Sequence, residues 1–82
     1  MIERRAQSRT RMDVPGRICL DEHHSLSCLV YDRSEEGVRV TLPQADLIPE
    51  TFVLEIAEMP VVYICRLVWR KGEEIGAQLQ AA

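Results

Sequence analysis

The chain has 82 residues, 46% of them hydrophobic and 28% charged, with a formal net charge of −3. That suffices for one domain with one modest core, and it excludes disorder of the whole chain. The acidity excludes a duplex DNA binder, and no run approaches the roughly 20 apolar residues of a membrane span, because the longest candidate, "VVYIC", stops at Arg66.

In chain order, the first segment is a basic arm, residues 1–12, on an acidic body. Arg4, Arg5, Arg9, Arg11 and then Arg17 face only Glu3 and Asp13 in the first 17 positions. Nine of the ten basic residues are Arg, which bonds phosphate or a base edge in planar bidentate fashion where Lys does not. Such an arm suggests a small anionic partner or a short stretch of nucleic acid; the plainer alternative is a solvated, frayed terminus. It lacks the apolar core of a signal peptide, so a cytoplasmic location is expected, and three cysteines, an odd number, suit reduced thiols.

From position 13 to 82 the hydrophobic period is close to two. Val14–Leu20 and Leu26–Tyr31 are irregular runs that fit strands. Val38, Val40 and Leu42 alternate with Arg39 and Thr41. "PQADLIPE" has room for one helical turn. Phe52, Leu54 and Ile56 flank Val53 and Glu55. Val61, Tyr63, Cys65, Leu67 and Trp69 share one face of a long run, which assigns Trp69 to the core, and Arg66 and Arg70 fall on the other face. Ile75, Ala77 and Leu79 alternate with Gly76, Gln78 and Gln80. The turns "DEHH", "DRSEEG", "EMP" and "RKGEE" separate these runs. Six short strands with brief connections pair antiparallel, and a small closed barrel removes their exposed edges. The fold class is therefore all-β, a small six-stranded antiparallel barrel with an N-terminal arm.

The turn "DRSEEG" raises a question of chemistry. Asp32 and Ser34, two apart on an extended segment, point the same way. A carboxylate accepts two hydrogen bonds from the Watson–Crick edge of guanine, and Arg takes the O6 and N7 side of the same base. Gly37 permits either a positive φ or a close backbone approach. Arg5 and Arg9, if the arm turns helically, lie on one side about 5–6 Å apart at Cβ. Each half alone reads most simply as an ordinary Asx or Ser/Thr turn and a solvated helix face.

Taken together, "RAQSR" (Arg5–Arg9) followed by "DRSEEG" (Asp32–Gly37) resembles the RxxxR … [D/N]xSxxG signature of PilZ domains, bacterial receptors for cyclic di-GMP. "CRLVWRKGEEIGAQL" resembles the family's closing hairpin, so the likeness runs from Arg4 to Leu79. The resemblance implies a six-stranded antiparallel barrel. It implies that Arg5 and Arg9 clamp guanine and phosphate from the arm, with Arg4 adding a phosphate contact. It also implies that Asp32 and Ser34 contact a guanine from the barrel surface and that Gly37 holds the turn. Arg33 departs from the pattern, which has an aliphatic residue there. Glu35 and Glu36 place negative charge beside a dianionic ligand, and Ala77 and Leu79 replace a larger pair in the last strand. The partners so implied are cyclic di-GMP and an effector protein that reads the ordered arm.

Competing constellations are weaker. Cys19, His23, His24, Cys28 and Cys65 offer zinc ligands, but C-x3-H-H-x3-C is not a common finger spacing, and Cys28 and Cys65 fall on inward faces. No metal site, cofactor or catalytic residue is expected, since the chain has no nucleophile elbow, P-loop or H-E-x-x-H. Two other functions stay open. One is an oligonucleotide-binding barrel, disfavoured by so few aromatic residues. The other is a PilZ-like module that binds only proteins.

Overall fold

The computed structural model describes residues 10–81. Six strands are present: β1 (Thr10–Cys19), β2 (Ser25–Arg33), β3 (Gly37–Thr41), β4 (Thr51–Ile56), β5 (Val62–Lys71) and β6 (Glu74–Ala81). They close into a barrel in the order β1-β2-β3-β6-β5-β4, every neighbouring pair antiparallel. The expected helical turn in "PQADLIPE" is a single 3-10 turn, Ala45–Leu47.

Alternation fills the interior. Ile18, Val30, Val40, Leu54, Cys65 and Ile75 are among the fully buried side chains, one or more from each strand. The seam is β1 against β4, with Gly16 opposite Ile56 and Cys19 opposite Val53. Gly16 is required there by space: an added Cβ would stand 2.9 Å from the Glu55 carbonyl and 2.9 Å from Val30 Cγ2. The β5–β6 hairpin turns at Gly72, whose φ of 60° lies in the left-handed region that favours glycine.

Two boundaries differ from the sequence expectation, and both matter. β1 reaches back to Thr10 rather than beginning at Val14, so positions 10–12 of the expected arm are strand. β2 runs on through Asp32 and Arg33, which the hydrophobic pattern had placed in the turn. Polar residues extend both strands because their partners are each other: Thr10 pairs with Arg33, and Arg11 with Asp32.

Candidate functional site

Two β-bulges build the site. The first is at Tyr31. Against β3, Val30 pairs with Val40 and Asp32 pairs with Arg39, leaving Tyr31 as an extra residue. β1 is irregular at the same level, between Arg11 and Val14, where Asp13 adopts a positive φ of 51°, a conformation Asp tolerates better than most residues. A bulge reverses the facing of everything beyond it. Without it Asp32 would share the inner face with Val30. With it, Asp32 joins Arg39 on the outer wall, and Arg33, opposite the buried Val38, turns inward.

The second bulge is in β5, between Leu67 and Trp69. Leu67 pairs with the buried Ala77 and packs on the core, but Trp69 pairs with Gly76, the next residue along. The assignment of Trp69 to the core is therefore corrected. The bulge at Val68 carries it to the outer wall, where it remains 38% exposed. Arg70 is shifted too; it stands opposite Ile75 and donates a hydrogen bond to the Ile48 carbonyl.

The two reversals meet in one cross-strand row. Arg11 pairs with Asp32, Asp32 with Arg39, Arg39 with Gly76, and Gly76 with Trp69, across β1, β2, β3, β6 and β5. At about 4.8 Å between strands the row spans about 19 Å. The indole lies directly on Gly76: an added Cβ would be 2.2 Å from Trp69 Nε1 and 2.3 Å from Cε2. Only glycine leaves room for the ring.

The electrostatics of the row centre on Asp32. The side chain is buried, with 4% of the residue exposed, and Arg39 Nε donates to its two oxygens at 3.2 and 3.1 Å. The hydrogen bond to Asp32 pushes the Arg39 pKa up, so the guanidinium stays charged. Tyr31 sits between two guanidinium groups, with Arg11 Cζ 4.5 Å and Arg39 Cζ 5.0 Å from the ring centroid. Such stacking fixes where the planar cations lie. Arg11 is also tied to Asp13 at 2.9 Å.

The motif turn sits beside this row. The Ser34 amide donates to the Gly37 carbonyl at 2.8 Å, and the Leu79 amide donates to the Glu36 carbonyl at 3.0 Å, which binds the turn to β6. Gly37 does not use a positive φ; of the two reasons the sequence offered, close approach is the one realised, since a Cβ would meet the Ala77 carbonyl at 3.1 Å. Ser34 is buried, and its Oγ has no hydrogen-bond partner among the described residues. An open groove of about 210 Å³ runs over this surface, lined by Ser34, Gly37, Arg39, Trp69 and Gly76 among others. Arg4, Arg5 and Arg9 lie outside the described residues. The arm joins the barrel at Thr10, whose partner Arg33 adjoins Asp32.

The sequence pattern missed three members of this cluster. Arg39 was legible as an outward residue in "GVRVTL" but was read only as the polar half of an alternation. Arg11 was counted with the arm, and Tyr31 with the strand face.

The sequence model of the PilZ domain matches residues 3–81. The chain belongs to the PilZ domain family. PilZ domains are a known cyclic di-GMP-binding family and act as binding and adaptor modules rather than as enzymes. No curated protein matches this PilZ domain.

Elsewhere on the PilZ domain, a larger groove of about 470 Å³ lies between β1 and the β4–β5 turn. It contains none of the described motif residues, and its one ion pair, Arg17–Glu55 at 2.9 Å, is self-neutralising. His23 and His24 lie in the β1–β2 loop, where the Asp21 carboxylate accepts from the His23 amide at 2.8 Å and meets His24 Nδ1 at 2.9 Å. These bonds hold the Asp21 pKa below its ordinary value, the His23 amide contributing most. Cys65 is buried and Cys28 packs against the core, as the inward alternation required. Burial pushes their thiols up to about 12 and about 11 respectively. Among the described residues no helix is long and apolar enough to cross a membrane.

Proposed function

We propose that this PilZ domain is a cyclic di-GMP receptor in which the ligand lies along the outer row and the arm closes over it. The observation that carries the reading is the row itself. It aligns an acid that can accept from a guanine edge, guanidinium groups that suit phosphate, and an indole resting against a glycine that suits purine stacking. Ser34 and Gly37 border the same groove. In this mechanism Arg5 and Arg9 bring cations from the arm to the phosphates and the second base, with Arg4 adding charge. Ordering the arm consumes part of the binding energy and presents a new surface to an effector protein.

Arg39 shapes the ligand's approach. It already spends N–H donors on Asp32, so a guanine edge must share the carboxylate with it or displace it. A carboxylate offers about four acceptor sites, enough for sharing. Arg39 therefore also serves to hold the Asp32 carboxylate oriented.

Calorimetric titration of cyclic di-GMP into the whole chain, alongside backbone amide shifts, tests this. Saturable binding is expected, with shifts at Ser34, Gly37, Arg39 and Gly76. Arg9→Ala is expected to lose about 2 kcal/mol, the scale of a charge-assisted contact. Trp69→Ala is expected to lose about 1–2 kcal/mol of stacking. A single-stranded oligonucleotide serves as the contrasting ligand. If it binds and cyclic di-GMP does not, the barrel is an oligonucleotide binder. If neither moves a resonance, the domain works through protein contacts alone.

A further inference from the structure

The bulge that turns Asp32 outward turns Arg33 inward, and this second consequence lines a second open pocket, which adjoins the first at Ser34. At the barrel end where β1 begins and the β2–β3 and β4–β5 turns meet, a cavity of about 370 Å³ is lined by Thr10, Met12, Arg33, Ser34, Glu35 and Met59. Its volume falls in the range of small-ligand sites.

Arg33 is held but not neutralised. Its guanidinium stands over the Tyr63 ring, 5.4 Å from the centroid, and Nη1 donates to the Tyr63 hydroxyl at 3.2 Å. Among the described residues the ion pairs are Arg11–Asp13, Arg17–Glu55, His24–Asp21 and Arg39–Asp32, so no carboxylate answers Arg33. A guanidinium has five N–H donors, and Tyr63 uses one. Thr10, Ser34 and Glu35 are the other polar residues of the lining, and Ser34 is buried, 6% exposed, with an Oγ that has no partner among the described residues. A buried hydroxyl left without a partner points to a ligand or water that completes it.

We infer that this cavity binds an aliphatic monocarboxylate. The planar fork of Arg33 matches a carboxylate in a bidentate pair, and the Ser34 hydroxyl can donate to the same anion. Tyr63 anchors the guanidinium beforehand, so little ordering is needed on binding. Met12 and Met59 supply flexible, polarisable walls for an alkyl chain. Glu35 on the rim sets the charge: a singly charged carboxylate meets less repulsion than a dianionic phosphate. The ligand is either a free short-chain acid or the C-terminal aliphatic residue of a partner protein, which present the same groups.

The site shares Ser34 with the nucleotide groove, but its cation, Arg33, lies on the opposite wall from the row, so Arg33 variants and a test without nucleotide separate the two. Hexanoate, an N-acetylated tetrapeptide ending in Leu, and the same peptide as its C-terminal amide are titrated separately into the full chain. The Arg33 Nε–H signal and the Ser34 and Met59 amides are followed. Saturable shifts with hexanoate, the free-acid peptide or both are expected, with no shift from the amide. Arg33→Leu should abolish them, and Arg33→Lys, which keeps the charge but not the fork, should weaken binding at least about fivefold. Hexanoate alone identifies a free acid, and the peptide alone identifies a chain terminus. Absence of shifts, equal shifts from the amide, or an Arg33→Lys protein that binds as the wild type does would overturn the inference.

Discussion

The bulges in β2 and β5 perform the same operation and end differently. At Tyr31 both neighbouring strands are irregular, and the residue turned outward, Asp32, is buried again under Arg39. At Val68 only the pairing with β6 shifts, and the residue turned outward, Trp69, keeps more than a third of its surface open. The first is a locked arrangement, with a carboxylate, two guanidinium groups and a tyrosine ring fixing one another. The second is a loose one, in which an aromatic ring is held mainly by the lack of a side chain beneath it. A binding wall needs both kinds of part. A charge must be in place before the ligand arrives, because reorienting it during binding is costly, whereas a stacking surface can adjust.

The contrast can be broken at either end. The largest effect is expected from Arg39→Met. It leaves Asp32 buried without its strongest described cation, and urea denaturation should show a loss of about 2–3 kcal/mol. Adding Asp32→Asn should recover part of that loss. An Arg39→Met protein as stable as wild type would mean that the locked side is not locked. Next comes Gly76→Ala, where the new Cβ must evict the indole that now lies 2.2 Å from its position. The chain has one Trp, so a red-shifted emission maximum reports the eviction directly, with a stability loss of about 1–2 kcal/mol. Unchanged emission would show that the ring does not rest there.

A smaller effect belongs to the hairpin that carries the loose side. Gly72→Ala meets nothing within 4 Å, so its expected cost, about 1 kcal/mol in thermal or urea unfolding, is backbone strain at φ 60° alone. Gly72→Asn should recover much of it. The smallest concerns the residues before each bulge, where the alternation is intact. Cys28 on β2 and Cys65 on β5 both face inward, and burial raises both thiols from 9.0, to about 11 and about 12. A raised acid favours the folded state only while it stays protonated. Their contribution is therefore constant below about pH 9, declines as the unfolded chain ionises above it, and the decline ends near pH 12. Melting temperatures of wild type and Cys28→Ala at pH 8 and pH 10.5 should converge as pH rises. A gap that widens would contradict the sign.

How much of this was legible in the sequence follows from the same two positions. Six strands, their turns and closure could be read because alternation and turn residues are local properties. The 3-10 turn was legible in "PQADLIPE" for the same reason. The motif residues Asp32, Ser34 and Gly37 were legible as types at a spacing. Their setting was not. A period of two, continued through Tyr31, puts Asp32 with the core, and continued through Val68 it puts Trp69 there as well. A bulge is an event between strands, set by which residues face one another across the ladder, and neither Tyr31 nor Val68 announces one. Arg39 was visible as an outward side chain, but its role depends on Asp32 changing face, which the chain does not show in one dimension.

The seam at Gly16 has a consequence for how the barrel comes to exist. β1 meets β2 through a short loop but meets β4 only after two more strands have been made, so shutting the cylinder is, with the pairing of β3 to β6, one of two ladders of long sequence separation and a natural slow step of folding. A chain halted just before that step would leave the unpaired edges of β1 and β4 open together, and self-association during refolding should begin there.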